Sequence, residues 1–288
     1  MEESKMKIAV LSGKGGTGKT LVSVNLAVAA VDAAYVDCDV EEPNGHLFLK
    51  PQKLETTQVT VPVPEVDEAL CNGCRVCVDF CKFNALAFIK NKPVLFPEVC
   101  HSCGGCVKLC PQKAMTEKTK EVGYAEKGLS GSIRFYGGTM KTGETSGVPI
   151  LRELFQMSKE EEELSIFDCP PGSACMVMES IKDVDYCILV AEPTIFGSHN
   201  LSLVHELVKV FKKPFGVVLN KCTEGENPSE TFCFKHGITI LGKIPFDYKL
   251  GALNSEGLIV AEELPEYRDL FTRLLGRVKE EVTLCGNC

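Results

Sequence analysis

Nine residues near the start of the chain, SGKGGTGKT at positions 12–20, restrict its fold more than any other stretch. They follow a short apolar run that ends at glycine, KIAVL (7–11), which reads as a buried parallel strand. They open a segment (17–30) whose LVSVNLAVAA is apolar nearly all round and so reads as a buried helix. AYVDCDV (34–40) is a second strand, and strand, glycine loop, helix and strand make a βαβ unit. The same alternation returns after residue 147. VPILRELFQM reads as helix, LSIFD and YCILVAE as strands, HNLSLVHELVKVF as helix, and FGVVLN and ITILGKIP as strands. A last helix over about 265–282 puts Tyr267, Leu270, Phe271, Leu274, Leu275 and Val278 on one face. The expected core is α/β, a doubly wound and mostly parallel sheet built from residues 1–50 and 147–284.

The loop itself carries chemistry. Gly13, Gly15, Gly16 and Gly18, with Thr17 among them, let the backbone wrap close to phosphates, which a Cβ would obstruct. The helix that follows points its N-terminus at the same anion. Lys19 then reaches the β- and γ-phosphates, and the Thr20 hydroxyl sits on Mg²⁺. A chance glycine turn is the alternative, but it leaves the flanking strand and helix unexplained. Lys14 is one lysine more than such a loop needs. Asp37 and Asp39 close the second strand, at the end of an open sheet where ligands bind. Asp39 is positioned to orient water towards the γ-phosphate, with Asp37 nearer the metal. Asp168, ending LSIFD before CPPGS, matches the Mg²⁺-side aspartate of P-loop enzymes. For each acid alone, a turn or helix cap is the plainer reading; three of them beside one loop weaken it.

Between 51 and 146 the alternation breaks into turn residues and short β-like pieces (QVTVPV, SIRFYG), which reads as an insertion. It contains Cys71-x-x-Cys74-x-x-Cys77-x-x-x-Cys81 and Cys100-x-x-Cys103-x-x-Cys106-x-x-x-Cys110-Pro111. This spacing resembles the two-cluster bacterial ferredoxins, with the unit over about 67–118. The resemblance implies two [4Fe–4S] clusters. Cys71, Cys74, Cys77 and Cys110 would hold one; Cys100, Cys103, Cys106 and Cys81 the other. Gly73, Gly104 and Gly105 let backbone N–H groups face the sulfurs. A structural zinc site would not need four cysteines per run. Lys82 stands where the ferredoxin pattern usually has proline.

Several segments in order resemble the MinD/Mrp/nitrogenase-iron-protein P-loop ATPases. These are KGGTGKT with its early lysine, VDCDVEEPN, FDCPPG as switch II, EPTIFGSHNL, and VLNK with IPFD as adenine-side segments. The resemblance implies ATP hydrolysis by a sandwich dimer, either a homodimer or a pair with a paralogue. Lys14 would supply charge to the partner's phosphates as an arginine finger does. Asn220 and Pro245 would lie on the adenine side. The whole order is similar to MinD-superfamily ATPases with an inserted ferredoxin unit. The iron protein of nitrogenase has a cluster-ligating cysteine seven residues beyond its switch II aspartate, where this chain has Cys175, although a core or loop role is the plainer reading.

Composition narrows the function. A net charge of −8 disfavours a nucleic-acid partner. The start MEESKMKIAVLSG is neither a secretory signal nor a membrane span, so the expected location is cytoplasmic, with no membrane partner. Sixteen cysteines in a compartment that keeps thiols reduced point to metal before disulfides. Cys38, Cys187, Cys222 and Cys233 read as small packed residues. The terminal CGNC (285–288) offers Cys285 and Cys288 as half of a metal or bridging-cluster site shared with a second protomer or a client. A redox dithiol or a plain tail are its other readings. The expected function is an ATP-driven dimeric switch for assembling or delivering iron–sulfur or other metalloclusters to an apo-protein acceptor. ATP-gated electron transfer to a redox partner is the alternative. A positioning or partitioning switch comes third, because it has no use for redox centres.

Overall fold

The structure, a computed structural model, describes residues 5–159 and 163–286, with side chains as far as Thr283. Strand β1 (Met6–Leu11) leads through the glycine loop into α1 (Lys19–Ala29) and β2 (Ala34–Asp37). A short α2 (Gly45–Leu49) precedes the long β3 (Gln52–Val66). The cysteine-bearing stretch holds α3 (Val76–Phe80), β4 (Leu86–Ile89), β5 (Lys92–Leu95) and α4 (Gly105–Leu109). Then come β6 (Met115–Ser130), β7 (Ile133–Met140), α5 (Val148–Met157), β8 (Leu164–Asp168), α6 (Cys175–Ile181), β9 (Tyr186–Ala191) and α7 (Ile195–Val210). The chain closes with β10 (Phe215–Cys222), α8 (Pro228–His236), β11 (Ile240–Pro245), α9 (Tyr248–Ser255), α10 (Val260–Glu263) and α11 (Pro265–Gly286).

Nine strands make one sheet in the order β11-β10-β9-β1-β8-β2-β7-β6-β3. From β11 to β7 every neighbour is parallel, and β6 and β3 add an antiparallel edge. The central strands are apolar on both faces because helices cover both. Ile8, Val10, Tyr35 and Ile166 pack with Leu26 of α1 and Phe271 of α11. Ala9, Leu11, Phe167 and Leu189 pack with Leu154 of α5 and Val204 of α7. Alternate residues of one strand thus feed two cores, at about 1.5–3 kcal/mol for each large aliphatic side chain buried. Tyr267, Phe271, Leu274, Leu275 and Val278 of α11 are buried and Leu270 is partly so, as the periodicity predicts. Among the described residues no helix is long and apolar enough to cross a membrane.

One boundary needs correction. The expected insertion over 51–146 is narrower, because β7 lies beside β2 in the main sheet (Ala34↔Arg134, Tyr35↔Phe135, Val36↔Tyr136). Strands β6 and β3 extend that same sheet, so the excursion proper runs from 67 to 114. The hydrophobic pattern hid the two long strands: their exposed faces are rich in Thr, Lys and Glu, which read as loop. Strand β7 has its partner β2 far back along the chain, a pairing that local reasoning does not see.

Candidate functional site

The C-terminal ends of β1, β2 and β8 meet at one edge of the sheet, under the glycine loop. Gly18 has φ 99°, and a Cβ there would collide with Asn220 Nδ2. A Cβ on Gly13 would strike the carbonyl oxygen of Asn200 in α7, whereas the space over Gly15 and Gly16 is open. The hydroxyls of Ser12 and Thr17 both donate to the Lys14 carbonyl, at 2.8 and 3.0 Å, and fix the bend. Thr20 is half-buried on the first turn of α1. Asn220 donates to the Thr17 carbonyl at 2.7 Å. Pro245 is exposed at the end of β11, in register with Cys222.

Lys19 is buried, with Nζ 3.7 Å from Asp168 Oδ1. Burial opposes its charge, but Asp168, then Asp39, outweigh burial and the pKa is raised. Asp168 is itself buried; its Oδ2 accepts from the Tyr35 hydroxyl at 2.8 Å, and its Oδ1 has no hydrogen-bond partner. A buried carboxylate oxygen without a donor, beside an open phosphate cradle, fits an oxygen-seeking cation such as Mg²⁺. Asp37 differs. Its oxygens accept from the backbone N–H groups of Asp39 (3.1 Å), Asn44 (3.1 Å) and Gly45 (2.8 Å), so it holds the following loop in shape. Burial, and then the charge of Asp168, push its pKa up to about 7. Asp39 lies past the end of β2, half-buried, with Oδ1 accepting from Glu42 N at 3.3 Å. Burial raises its pKa against the pull of Lys19.

Sequence reasoning missed Glu192. Its carboxylate lies 2.7 Å from Lys14 Nζ and 2.6 Å from Lys221 Nζ, and Lys221 also donates to the Gly16 carbonyl at 2.8 Å. In the single chain, then, the extra lysine is bound in cis. Glu192 follows the apolar run of β9 just as Asp168 ends β8; an acid at a strand end was the available signal. Tyr35 gave none, since a tyrosine inside a strand reads as core.

The eight excursion cysteines fall into two pockets. One is lined by Cys71, Cys74, Cys77 and Cys110, the other by Cys81, Cys100, Cys103 and Cys106. This is the crossed grouping that the ferredoxin resemblance implies. The two runs have matching backbones: Arg75 and Gly104 precede their helices at φ 67°, and Cys81 and Cys110 close them at φ −69°, ψ 97° and φ −67°, ψ 111°. Lys82 therefore follows a corner shaped like the one before Pro111. Gly105 lies against the Phe80 ring, joining the two helices, and the Ala114 N–H donates to Cys110 Sγ at 3.2 Å. Burial raises the Cys77 thiol pKa and pushes that of Cys106 up to about 11. Among the described residues no three His, Cys, Asp or Glu side chains converge on a single metal ion. Each pocket is edged by four thiols, the ligand number of a [4Fe–4S] cluster.

A further cleft lies between the excursion and the main sheet. Cys100, His101 and Ser102 line one side; Glu144, Ser146, Arg152 and Cys175 are among the residues lining it from the sheet side. Lys120 spans it, donating to the Pro97 carbonyl at 3.0 Å and to Glu144 at 2.9 Å. Cys175 is exposed and opens α6, directly after the loop that follows Asp168. Cys38, Cys187 and Cys233 are buried and Cys222 is half-buried, and all fourteen described cysteines are free. Cys285 and Cys288 lie outside the described side chains.

The profile of the CobQ/CobB/MinD/ParA nucleotide-binding domain matches residues 8–260. The chain belongs to that family. Uncharacterized protein MJ0578 of Methanocaldococcus jannaschii is 29% identical over 96% of this chain and 97% of its own length. A protein of Pyrococcus horikoshii named iron-sulfur cluster carrier protein is 24% identical, over 96% of this chain and 88% of its own. Among solved structures, the septum site-determining protein MinD of Pyrococcus horikoshii, complexed with Mg-ADP, aligns with a TM-score of 0.60 at 20% identity. That alignment covers 95% of this chain and 96% of the other, and it shows the shared fold. The matched domain is a nucleotide-binding domain of the MinD/ParA ATPase type, and it includes the glycine loop, Asp37, Asp39 and Asp168.

Proposed function

We propose that the chain is an ATP-hydrolysing dimeric switch that couples nucleotide turnover to the assembly or delivery of iron–sulfur clusters. The observation that carries this reading is the cleft in which Cys100 and His101 face Cys175. Cys175 is the residue on which the loop after Asp168 ends, so a change at the γ-phosphate has a short route to the second cysteine group. Iron–sulfur cluster carrier protein is also the name of a full-length relative.

Within this reading the glycine loop cradles the phosphates, Lys19 neutralises their charge, and Asp39 orients the attacking water. Bound Mg²⁺ would supply further positive charge there, held by Asp168 and Thr20 with Asp37 behind them. Asn220 and Pro245 flank the base. Lys14 leaves Glu192 and turns to the phosphates of a second protomer. The two thiol sets hold [4Fe–4S] groups, which supply either cargo or electrons. Cys285 and Cys288 form a further, labile half-site. The last described residues before them, Val282 and Thr283, share a pocket with Met6 and Leu164, which begin β1 and β8. That is the opposite edge of the sheet from the glycine loop.

The electron-transfer reading draws on the thiol pockets, since four ligands from a single chain suit retained rather than transferable clusters. Anaerobic purification with iron and sulfide counts comes first, and eight irons per chain are expected. ATP-dependent transfer of iron and sulfide to an apo-acceptor then supports delivery. Reduction of an acceptor without loss of iron supports the alternative. Zinc without acid-labile sulfide sinks both.

A further inference from the structure

Tyr35 has no role in the reading above, yet its hydroxyl donates to Asp168. It sits in the middle of β2, fully buried, in register with Ile166 of β8. Residues two apart on a strand share a face. Tyr35 and Asp37 therefore point to the α1 side of the sheet, as do Ile166 and Asp168. The Tyr35 hydroxyl reaches diagonally to Asp168 Oδ2 at 2.8 Å. Its ring is held in turn: Phe135 stacks on it at 6.1 Å between centroids, and a Cβ on Gly45 would collide with its edge and hydroxyl. The loop that Asp37 shapes through Gly45 N–H thus closes over the ring.

We infer that Tyr35 is a positioning residue for magnesium: its hydroxyl pins Asp168 Oδ2, so that the unpartnered Oδ1 is presented to the metal of the bound nucleotide. The inference rests on reading Asp168 as the magnesium-side acid. The physical argument is directional. Without the hydroxyl, both oxygens of Asp168 lack a hydrogen bond, and nothing holds the carboxylate back from closing on Lys19, whose Nζ already lies 3.7 Å from Oδ1. An ammonium that captures the carboxylate withdraws it from Mg²⁺ and competes with the phosphates for Lys19. Partners that orient a metal ligand in this way typically contribute about 10–100-fold to metal affinity. Tyrosine suits the position because its ring packs against Phe135 in the core while its hydroxyl reaches the carboxylate as a donor.

The test is Tyr35→Phe, which keeps the ring and removes one oxygen. Nucleotide affinity is measured on the full chain by titration with ATP in EDTA and again in excess Mg²⁺, and Mn²⁺ affinity of the nucleotide complex by electron paramagnetic resonance. The expected result is unchanged ATP affinity in EDTA, roughly tenfold weaker Mn²⁺ binding, and a reduced gain from Mg²⁺. Equal weakening with and without metal would make Tyr35 a packing residue and overturn the inference, as would parent-like metal binding. Asp168→Asn separates the two layers. If it loses the metal gain while Tyr35→Phe keeps it, the inference about Tyr35 fails alone. If Asp168→Asn itself keeps the gain, the reading of Asp168 fails and the inference with it. Gly45→Ala keeps the hydroxyl group but drives its Cβ into the ring edge and the hydroxyl, displacing the donor from Asp168, and is expected to weaken Mn²⁺ in the same direction. It serves in place of Tyr35→Phe should that variant not fold, and parent-like Mn²⁺ affinity in it counts against the inference.

Discussion

At the nucleotide edge, Lys19, Asp37 and Asp168 lie under a core that runs through the whole sheet, and backbone amides and Tyr35 hold the two acids before any ligand arrives. The cysteine excursion is built differently. Its local cluster of buried residues consists of Cys77, Leu86, Cys106 and Met115, so two of the four are expected cluster ligands. Around them Phe80, Phe83, Phe96 and Leu109 are each 40% exposed or more. A segment of this size cannot bury enough apolar surface to offset its own ordering entropy, and small units usually need a metal or a disulfide to complete them. One region thus has an extended core of its own, and the other has a small one in which cysteines stand where large apolar residues would.

The largest expected effect tests that contrast directly. Removing iron with a chelator under anaerobic conditions should release amide protection across 71–110 while β1 and β8 stay protected. Hydrogen exchange read by mass spectrometry decides it. An excursion that stays protected without iron would mean that its polypeptide folds alone, and the contrast would be false. Next, under the proposed role of Lys14 as a charge donor across a dimer, Lys14→Ala should slow ATP hydrolysis on the order of 10³-fold with the fold intact. Normal turnover would leave Lys14 as no more than the cis partner of Glu192.

Smaller substitutions sharpen the comparison. Ile166→Ala, at a fully buried site in β8, should lower global stability by about 2–5 kcal/mol. Phe83→Ala, at an exposed site in the excursion, should cost within about 0.5 kcal/mol unless the clusters are lost. Urea melts of the loaded protein compare the two, and similar costs would show that the excursion shares the main core. The smallest effect concerns pH. Burial disfavours the Glu192 carboxylate, but Lys14 and Lys221 more than compensate and hold its pKa below the usual 4.5. A lowered carboxylate stabilises the fold above its unfolded pKa and loses that contribution as pH falls through the folded value. Glu192→Gln should therefore be less stable than the parent at neutral pH, with the gap closing below about pH 4.5. A gap that persists at lower pH would assign the effect to packing.

Much of the nucleotide site was readable from sequence because its parts are local. A glycine loop between an apolar strand and an apolar helix forms one structure, and acids at the ends of parallel strands meet at one edge. The cysteine grouping was not local: spacing within a run brings three thiols together, whereas the exchange of Cys81 and Cys110 between the pockets was an expectation from the ferredoxin resemblance. What sequence left open depends on contacts far apart along the chain. Strand β7 joined the main sheet through β2, and Glu192 captured Lys14 from across the sheet edge. Asp37 proved to be held by its own loop, while Asp168 takes the Tyr35 hydroxyl from a neighbouring strand on one oxygen and leaves the other, beside Lys19, without a hydrogen bond. Residue types and spacing set the chemistry available, whereas parallel register, which pairs strands distant in sequence, decided which of those groups stay unpartnered and able to act.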